Sequence, residues 1–278
     1  MPHFEDRFFS RDGLSLYQQC WLPESECRAV LLVIHGINEH SGRYARFAAD
    51  LNRQGYAVYG MDLRGHGKSN GERAWIASFD IFLDDIQILL DHVAHQQPEK
   101  PLFLLGHSMG GLIIAWLAIT RQPQVSGLIF SGPAILVGGK VFPILRRLAA
   151  FFSLVWPKLR LVRIGCRFIS RDPQVVEDFK NDPLVFHGRF PVRTGAEILR
   201  VAKQVQQRLA EIRLPFLVMH GTGDIVADAN GSRLLYARAS SADKTLQLYD
   251  GLYHEILSEP EREQVLNDLL AWLNARVI

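Results

Sequence analysis

The chain alternates between short unbroken apolar runs and longer stretches whose apolar residues recur every three or four positions. Runs at 29–34 (Ala-Val-Leu-Leu-Val-Ile), 102–105 (Leu-Phe-Leu-Leu), 127–131 and 215–220 have the length and continuity of strands covered on both faces of a parallel sheet. Further strands are expected at 56–62 and 245–249, with an edge strand at 14–22, where Leu14 and Leu16 alternate with polar neighbours. Helical spacing appears at 44–54, closed by Gly55. It returns from Phe79 to Val93 with Ser78 placed as N-cap, then at 112–118, 197–209 and near 229–238. A final helix runs through Val265, Leu266, Leu269, Leu270 and Leu273, and Ser258-Glu259-Pro260-Glu261 before it has the form of a capping box with an early proline. Strands alternating with helices predict an α/β fold, a mostly parallel central sheet flanked by helices on both faces. The stretch from 134 to about 195 fits neither strand nor crossover helix and reads as an inserted helical cap. The expected organisation is core (1–133), cap (134–195) and core (196–278).

One junction carries candidate chemistry. The run at 102–105 leads into Gly106-His107-Ser108-Met109-Gly110, and an apolar helix follows. Gly-x-Ser-x-Gly between strand and helix is the setting of a nucleophile elbow. The turn strains Ser108, a Cβ at Gly106 or Gly110 would clash, and the hydroxyl is held beside a helix N-terminus that favours negative charge. In such a sheet, reactive groups gather in loops at the carboxyl ends of strands. Those loops hold Gly221-Thr222-Gly223-Asp224 and Gly251-Leu252-Tyr253-His254-Glu255. Serine at its own pKa is a poor nucleophile, so an imidazole must take its proton and a carboxylate must orient that imidazole. Ser108, Asp224 and His254 are the candidates. Asp228 and Asp250 compete for the acid: the first stands where a helix N-cap would, the second at a strand end before glycine. His107 is expected to pack under the elbow. The backbone amides of Met109 and Ile37 are the expected oxyanion donors.

Composition narrows the class. At 278 residues, with 48% hydrophobic and 22% charged positions, the chain can bury a large core unaided. Cys20, Cys27 and Cys166 are odd in number and form no Cys-x-x-Cys pair, which suits free thiols in a reducing compartment. No apolar run approaches the roughly 18 residues of a spanning helix, and no signal-peptide core opens the chain. A cytoplasmic location is expected. The net charge of +2 hides an uneven distribution. Residues 134–171 contain eight basic side chains (Lys140, Arg146, Arg147, Lys158, Arg160, Arg163, Arg167, Arg171) and no acidic one. Phe142, Ile144, Leu145, Leu148, Phe151, Phe152, Leu154, Val155 and Trp156 are interleaved with them. That composition suits either a surface lying in an anionic membrane interface or a roof over an apolar pocket with solvated arginines. Embedding among apolar residues, with no reading motif, argues against nucleic acid.

His35-Gly36, the run from Glu39 to Tyr44 (Glu-His-Ser-Gly-Arg-Tyr), Asp62-Leu63-Arg64-Gly65-His66-Gly67, the elbow, and Tyr253-His254-Glu255 occur in the order seen in the monoacylglycerol lipase family. Asn181-Asp182-Pro183-Leu184 and Asp243-Lys244-Thr245-Leu246 extend the resemblance over nearly the whole chain. The resemblance implies an α/β-hydrolase fold and a serine hydrolase that cleaves glycerol monoesters of fatty acids. Ser108, Asp224 and His254 match the family's triad, and no metal or cofactor is implied. Ile37-Asn38 stands where a smaller, often glycine-containing pair is usual. The implied partner is a lipid monoester substrate; peripheral membrane contact through the cap is expected from its composition alone. Lysophospholipase and short-chain carboxylesterase stand as alternative activities; a non-catalytic ligand-binding homologue stands as an alternative of another class.

Overall fold

A computed structural model describes residues 1–137, 152–163 and 165–277. Among these, eight strands form one sheet in the order β1-β2-β4-β3-β5-β6-β9-β10. The strands are β1 (His3–Phe9), β2 (Ser15–Trp21), β3 (Ala29–Ile34), β4 (Tyr56–Met61), β5 (Leu102–His107), β6 (Gly127–Ser131), β9 (Phe216–Gly221) and β10 (Lys244–Tyr249). From β4 to β10 the pairing is parallel, while β1 and β2 run antiparallel. Every residue of β3, β4, β5, β6 and β9 is buried, because helices cover both faces. On one face α2 (Asp80–Gln96), α3 (Met109–Thr120) and α5 (Val192–Arg208) meet Val30, Leu32 and Ile34 of β3. On the other, α1 (Ala45–Asn52) and α7 (Arg262–Asn274) meet Ala29, Leu31 and Val33. Each buried Leu, Ile or Phe contributes about 1.5–3 kcal/mol, so these two cores fix the strand ends that carry the site.

Several expectations change. Strand β2 is not the edge: β1 pairs along its whole length, from His3 opposite Trp21 to Phe9 opposite Ser15. Helix α2 takes Phe79 as its N-cap, although the Ser78 hydroxyl still accepts from the Asp80 amide at 3.4 Å. The capping box does not form. A 3-10 turn occupies Ile256–Ser258, α7 is capped by Glu261 without a side-chain bond, and the Glu259 carboxylate is buried elsewhere. It accepts from the Arg171 amide and guanidinium and from the Tyr253 amide. The carboxylate of the box itself, Glu261, pairs with Arg171 instead, while two backbone donors and a cation satisfy the buried Glu259. Helix α5 starts five residues before the predicted position, inside the expected cap range.

Between β6 and α5 the described residues contribute no strand to the main sheet. They hold a small antiparallel pair, β7 (Arg160–Val162) with β8 (Phe190–Pro191), and helix α4 (Pro173–Asn181). Asp172 caps α4 by accepting from the Gln174 amide, with proline in its first turn. This segment is tied down by charge. Lys158 and Arg160 reach Glu72 at 2.7 and 3.2 Å, and Arg171 engages Glu259 and Glu261. Three of the eight basic side chains noted in the sequence are therefore paired with residues outside the segment. Lys140, Arg146, Arg147, Phe142, Ile144, Leu145, Leu148 and Phe151 lie outside the described residues.

Candidate active site

Strand β5 delivers Ser108 with φ 53° and ψ −114°, a conformation that L-residues occupy only under constraint. The constraint is steric. A Cβ on Gly106 would lie far inside contact with the Gly110 carbonyl, and one on Gly110 would do the same with the Ile34 carbonyl. The turn is closed further by the Ser108 amide donating to Ser131 O at 3.0 Å and by the Ala134 amide donating to Ser108 O at 2.9 Å. Met109 opens α3, so its amide belongs to the first helical turn, which lacks intrahelical acceptors.

The carboxylate and imidazole meet beside it. His254 Nδ1 lies 2.6 Å from Asp224 Oδ2, with both side chains buried. Donation from Nδ1 leaves Nε2 as the basic nitrogen. Asp224 is held by further donors: the Val226 and Ala227 amides reach Oδ1 at 2.8 and 3.0 Å, and His220 Nε2 lies 3.0 Å from Oδ2. Burial pushes the Asp224 pKa up, but the bonds from His220 and His254 outweigh it, and the net shift is well below the usual carboxylate range. For His254 burial pulls downward, and the Asp224 bond and charge, with Glu255 and Glu39, raise the pKa above its ordinary value. The competing acids are elsewhere. Asp228 accepts from the Asn230 amide at the start of α6 (Asn230–Arg238), and Asp250 accepts from the Thr222 hydroxyl at the surface.

His107 packs as expected, its Nδ1 3.0 Å from Ser131 O and its ring 4.7 Å from that of His254. Burial and the neighbouring imidazole lower its pKa to about 4, so it is neutral at physiological pH. The loop after β3 completes the surroundings. His35 is buried, its Nε2 accepting from the Leu63 amide at 2.9 Å. A Cβ on Gly36 would come within 3.1 Å of Ser108 Cβ, which places this loop against the serine. The Gly36 amide donates to Glu39 Oε1 at 2.6 Å; Arg43 bridges Glu39 at 3.0 Å and Glu255 at 2.7 and 2.8 Å. Gly36, Ile37, Asn38, Ser108 and His254 line one cavity of about 40 Å³, roofed by Ile169 and Phe179.

Sequence reasoning missed His220 and the Glu39–Arg43–Glu255 network. For His220 a signal existed, a polar residue inside an otherwise apolar strand. Arg43 and Glu255 are 212 positions apart, and nothing local pairs them.

A serine on a strained strand–helix turn, beside a buried carboxylate–imidazole pair on a mostly parallel sheet, defines the class of serine α/β-hydrolases. The model of the family described as serine aminopeptidase, S33, matches residues 25–261. The chain belongs to that family and, within it, to the monoacylglycerol lipases, as its full-length relatives establish. It is 35% identical over 269 residues to a monoacylglycerol lipase of Mycolicibacterium smegmatis, covering 97% of this chain and 96% of that one. A monoglyceride lipase of Rattus norvegicus is 35% identical over 280 residues, covering 100% of this chain and 91% of that protein. Among solved structures, a Paleococcus ferrophilus monoacylglycerol lipase superposes with a TM-score of 0.83 at 30% identity, over 99% of this chain and 100% of its own.

Proposed function

We propose that this chain hydrolyses monoacylglycerols to fatty acid and glycerol through an acyl-enzyme on Ser108. The observation that carries the reading is the 2.6 Å Asp224–His254 contact, whose imidazole lines the same cavity as the strained Ser108. Ser108 Oγ attacks the ester carbonyl while His254 Nε2 takes its proton. The amides of Ile37 and Met109 hold the oxyanion, and His254 returns the proton to the departing glycerol oxygen. Water then attacks the acyl-enzyme, again losing its proton to His254, and the fatty acid leaves. From the segment between β6 and α5, Gly165, Ile169 and Phe179 line the same cavity, which supports a cap role for it. At about 40 Å³ the cavity is far below the roughly 300–1,000 Å³ of ligand pockets, so in this reading it widens to take a lipid ester.

The same segment supports peripheral membrane contact from the cytoplasm. Leu154 and Trp156 are 76% and 58% exposed, and Val155, Leu159 and Leu161 are exposed beside them. Contiguous apolar exposure of this kind suits an interface more than water. None of the described helices is long and apolar enough to cross a membrane.

The test is a fluorophosphonate probe followed by substrate turnover. Labelling of the wild type, none of Ser108→Ala, and equimolar fatty acid and glycerol from a monoacylglycerol are expected. Labelling that survives in Ser108→Ala would overturn the nucleophile. Labelling without glycerol release, alongside rapid lysophospholipid cleavage, would overturn the substrate.

A further inference from the structure

Resting on that reading, we infer that Asn38 is a specificity-determining residue whose carboxamide binds the free hydroxyls of the ester's alcohol portion. Asn38 lines the cavity that Ser108 and His254 share, and it is only 5% exposed. Its backbone has φ 71°, in the left-handed region that favours glycine. Asparagine tolerates that region better than most residues, but it remains less comfortable there than glycine. The side chain is therefore carried at a position where the backbone alone would select its removal.

The backbone carbonyl has a clear structural task, accepting from the Phe186 amide at 2.8 Å. The carboxamide has none. Oδ1 is a buried oxygen with no hydrogen-bond partner. Buried polar groups in folded proteins are nearly always satisfied, and an orphan at a functional cavity points to a partner supplied by the ligand.

The chemistry of the orphan says which part of the ligand that is. Oδ1 is an acceptor, so its partner must bring a hydrogen. An oxyanion brings none, and the Ile37 and Met109 amides already serve it. Fatty acyl chains bring none either. The hydroxyls of glycerol do, and a primary carboxamide presents an acceptor and a donor side by side. One hydroxyl of a vicinal diol donates to Oδ1 while the oxygen of the next accepts from Nδ2, a two-point match that a simple alkyl ester cannot make. The other polar side chains of the loop are already engaged: Glu39 accepts from Gly36, Tyr44 and Arg43, and His40 is paired with Asp182 at 2.8 Å.

The experiment compares two esters of one acyl chain, 1-monododecanoylglycerol and ethyl dodecanoate, in the same detergent. The readout is the ratio of their kcat/KM values in the wild type, Asn38→Gly and Asn38→Ala. Both variants remove the carboxamide; the glycine also relaxes the backbone at φ 71°, so it separates loss of the carboxamide from the strain that alanine adds. We expect the glyceryl-to-ethyl ratio to fall about five- to tenfold in each, the size of one or two neutral hydrogen bonds. A ratio that stays at the wild-type value, whether both rates are kept or both fall together, overturns the assignment, the parallel fall marking an oxyanion or structural role. A wild type that cleaves the ethyl ester but not the glyceryl ester overturns the monoacylglycerol reading and this inference with it. Loss in the variants alone touches only Asn38.

Discussion

The elbow and the segment between β6 and α5 both border the small cavity, and they are built on opposite principles. Around Ser108 every degree of freedom is over-determined. Two glycines admit no Cβ, and His254 and Asp224 are buried. The segment that faces it contains α4, a helix with no buried residue, and the exposed run around Trp156. It is fastened partly by ion pairs to Glu72 and Glu261, contacts that are weak at exposed sites and screened by salt, and partly by Arg171 on the buried Glu259. Chemistry sits where close backbone contacts fix the geometry; the facing segment rests on fewer buried groups. The contrast predicts that substitutions of similar size have very different effects in the two regions.

The largest difference should appear within the acid loop. Asp224→Asn removes the partner that sets the His254 tautomer, and a loss of about 10⁴ in kcat is expected. Asp228→Asn, which weakens only the turn at the start of α6, should stay within about threefold, since the loss is confined to one local cap. Steady-state kinetics on a soluble ester, with circular dichroism to confirm folding, reads both. Equal losses would erase the distinction drawn between the two carboxylates.

Next come the glycines. Gly110→Ala forces a methyl group into the Ile34 carbonyl and should cost about 3 kcal/mol or more of stability. Gly165→Ala, with nothing within 4 Å of its Cβ position, should change the melting temperature little. A well-folded, active Gly110→Ala enzyme would show that the elbow is less constrained than its contacts imply.

A smaller effect is expected at the cap surface. Leu154→Ser with Trp156→Ser should weaken binding to anionic vesicles about tenfold, because two exposed apolar groups lose their interfacial burial. Hydrolysis of a soluble short-chain ester should not follow, and vesicle sedimentation beside a chromogenic assay separates the two. If vesicle binding survives, the exposed run is a pocket roof alone.

The finest test is electrostatic. His254 must be neutral to act as a base, and its pKa is raised, so kcat/KM should fall as pH drops through a value above the ordinary histidine 6.5 or so. A pH profile whose acid limb has its midpoint below about 6 would mean that burial, not Asp224, dominates the imidazole.

What could be read without coordinates follows the same division. Continuous apolar runs revealed β3, β5, β6 and β9, because a strand buried on both faces leaves no choice of polarity. The elbow and the order of Asp224 and His254 were legible because their chemistry requires particular residue types at strand ends. Strand β1 was not legible. Its sequence, His-Phe-Glu-Asp-Arg-Phe-Phe, is largely exposed, so no burial pattern marks it, and its pairing with β2 is a tertiary fact. The same holds for Glu259: nothing in the sequence around it shows that Arg171 and the Tyr253 amide, brought near by the fold, bind its carboxylate. The His40–Asp182 pair, 142 positions apart, depends wholly on topology.

The volume around Ser108 has a consequence for affinity. Under the proposed reading, the cavity of about 40 Å³ lined by Ser108, Ile169 and Phe179 must widen to take a lipid ester, and substrate would bind only the fraction of molecules in which it has done so. Apparent affinity is then the intrinsic affinity scaled by that fraction, and a molecule open one hundredth of the time binds about a hundredfold more weakly than its site allows. Anything that favours the open form, such as a lipid surface gripping Leu154 and Trp156, returns that factor without altering a single bond near the serine. The apparent KM of such an enzyme is set as much by the company its cap keeps as by the groove beneath it.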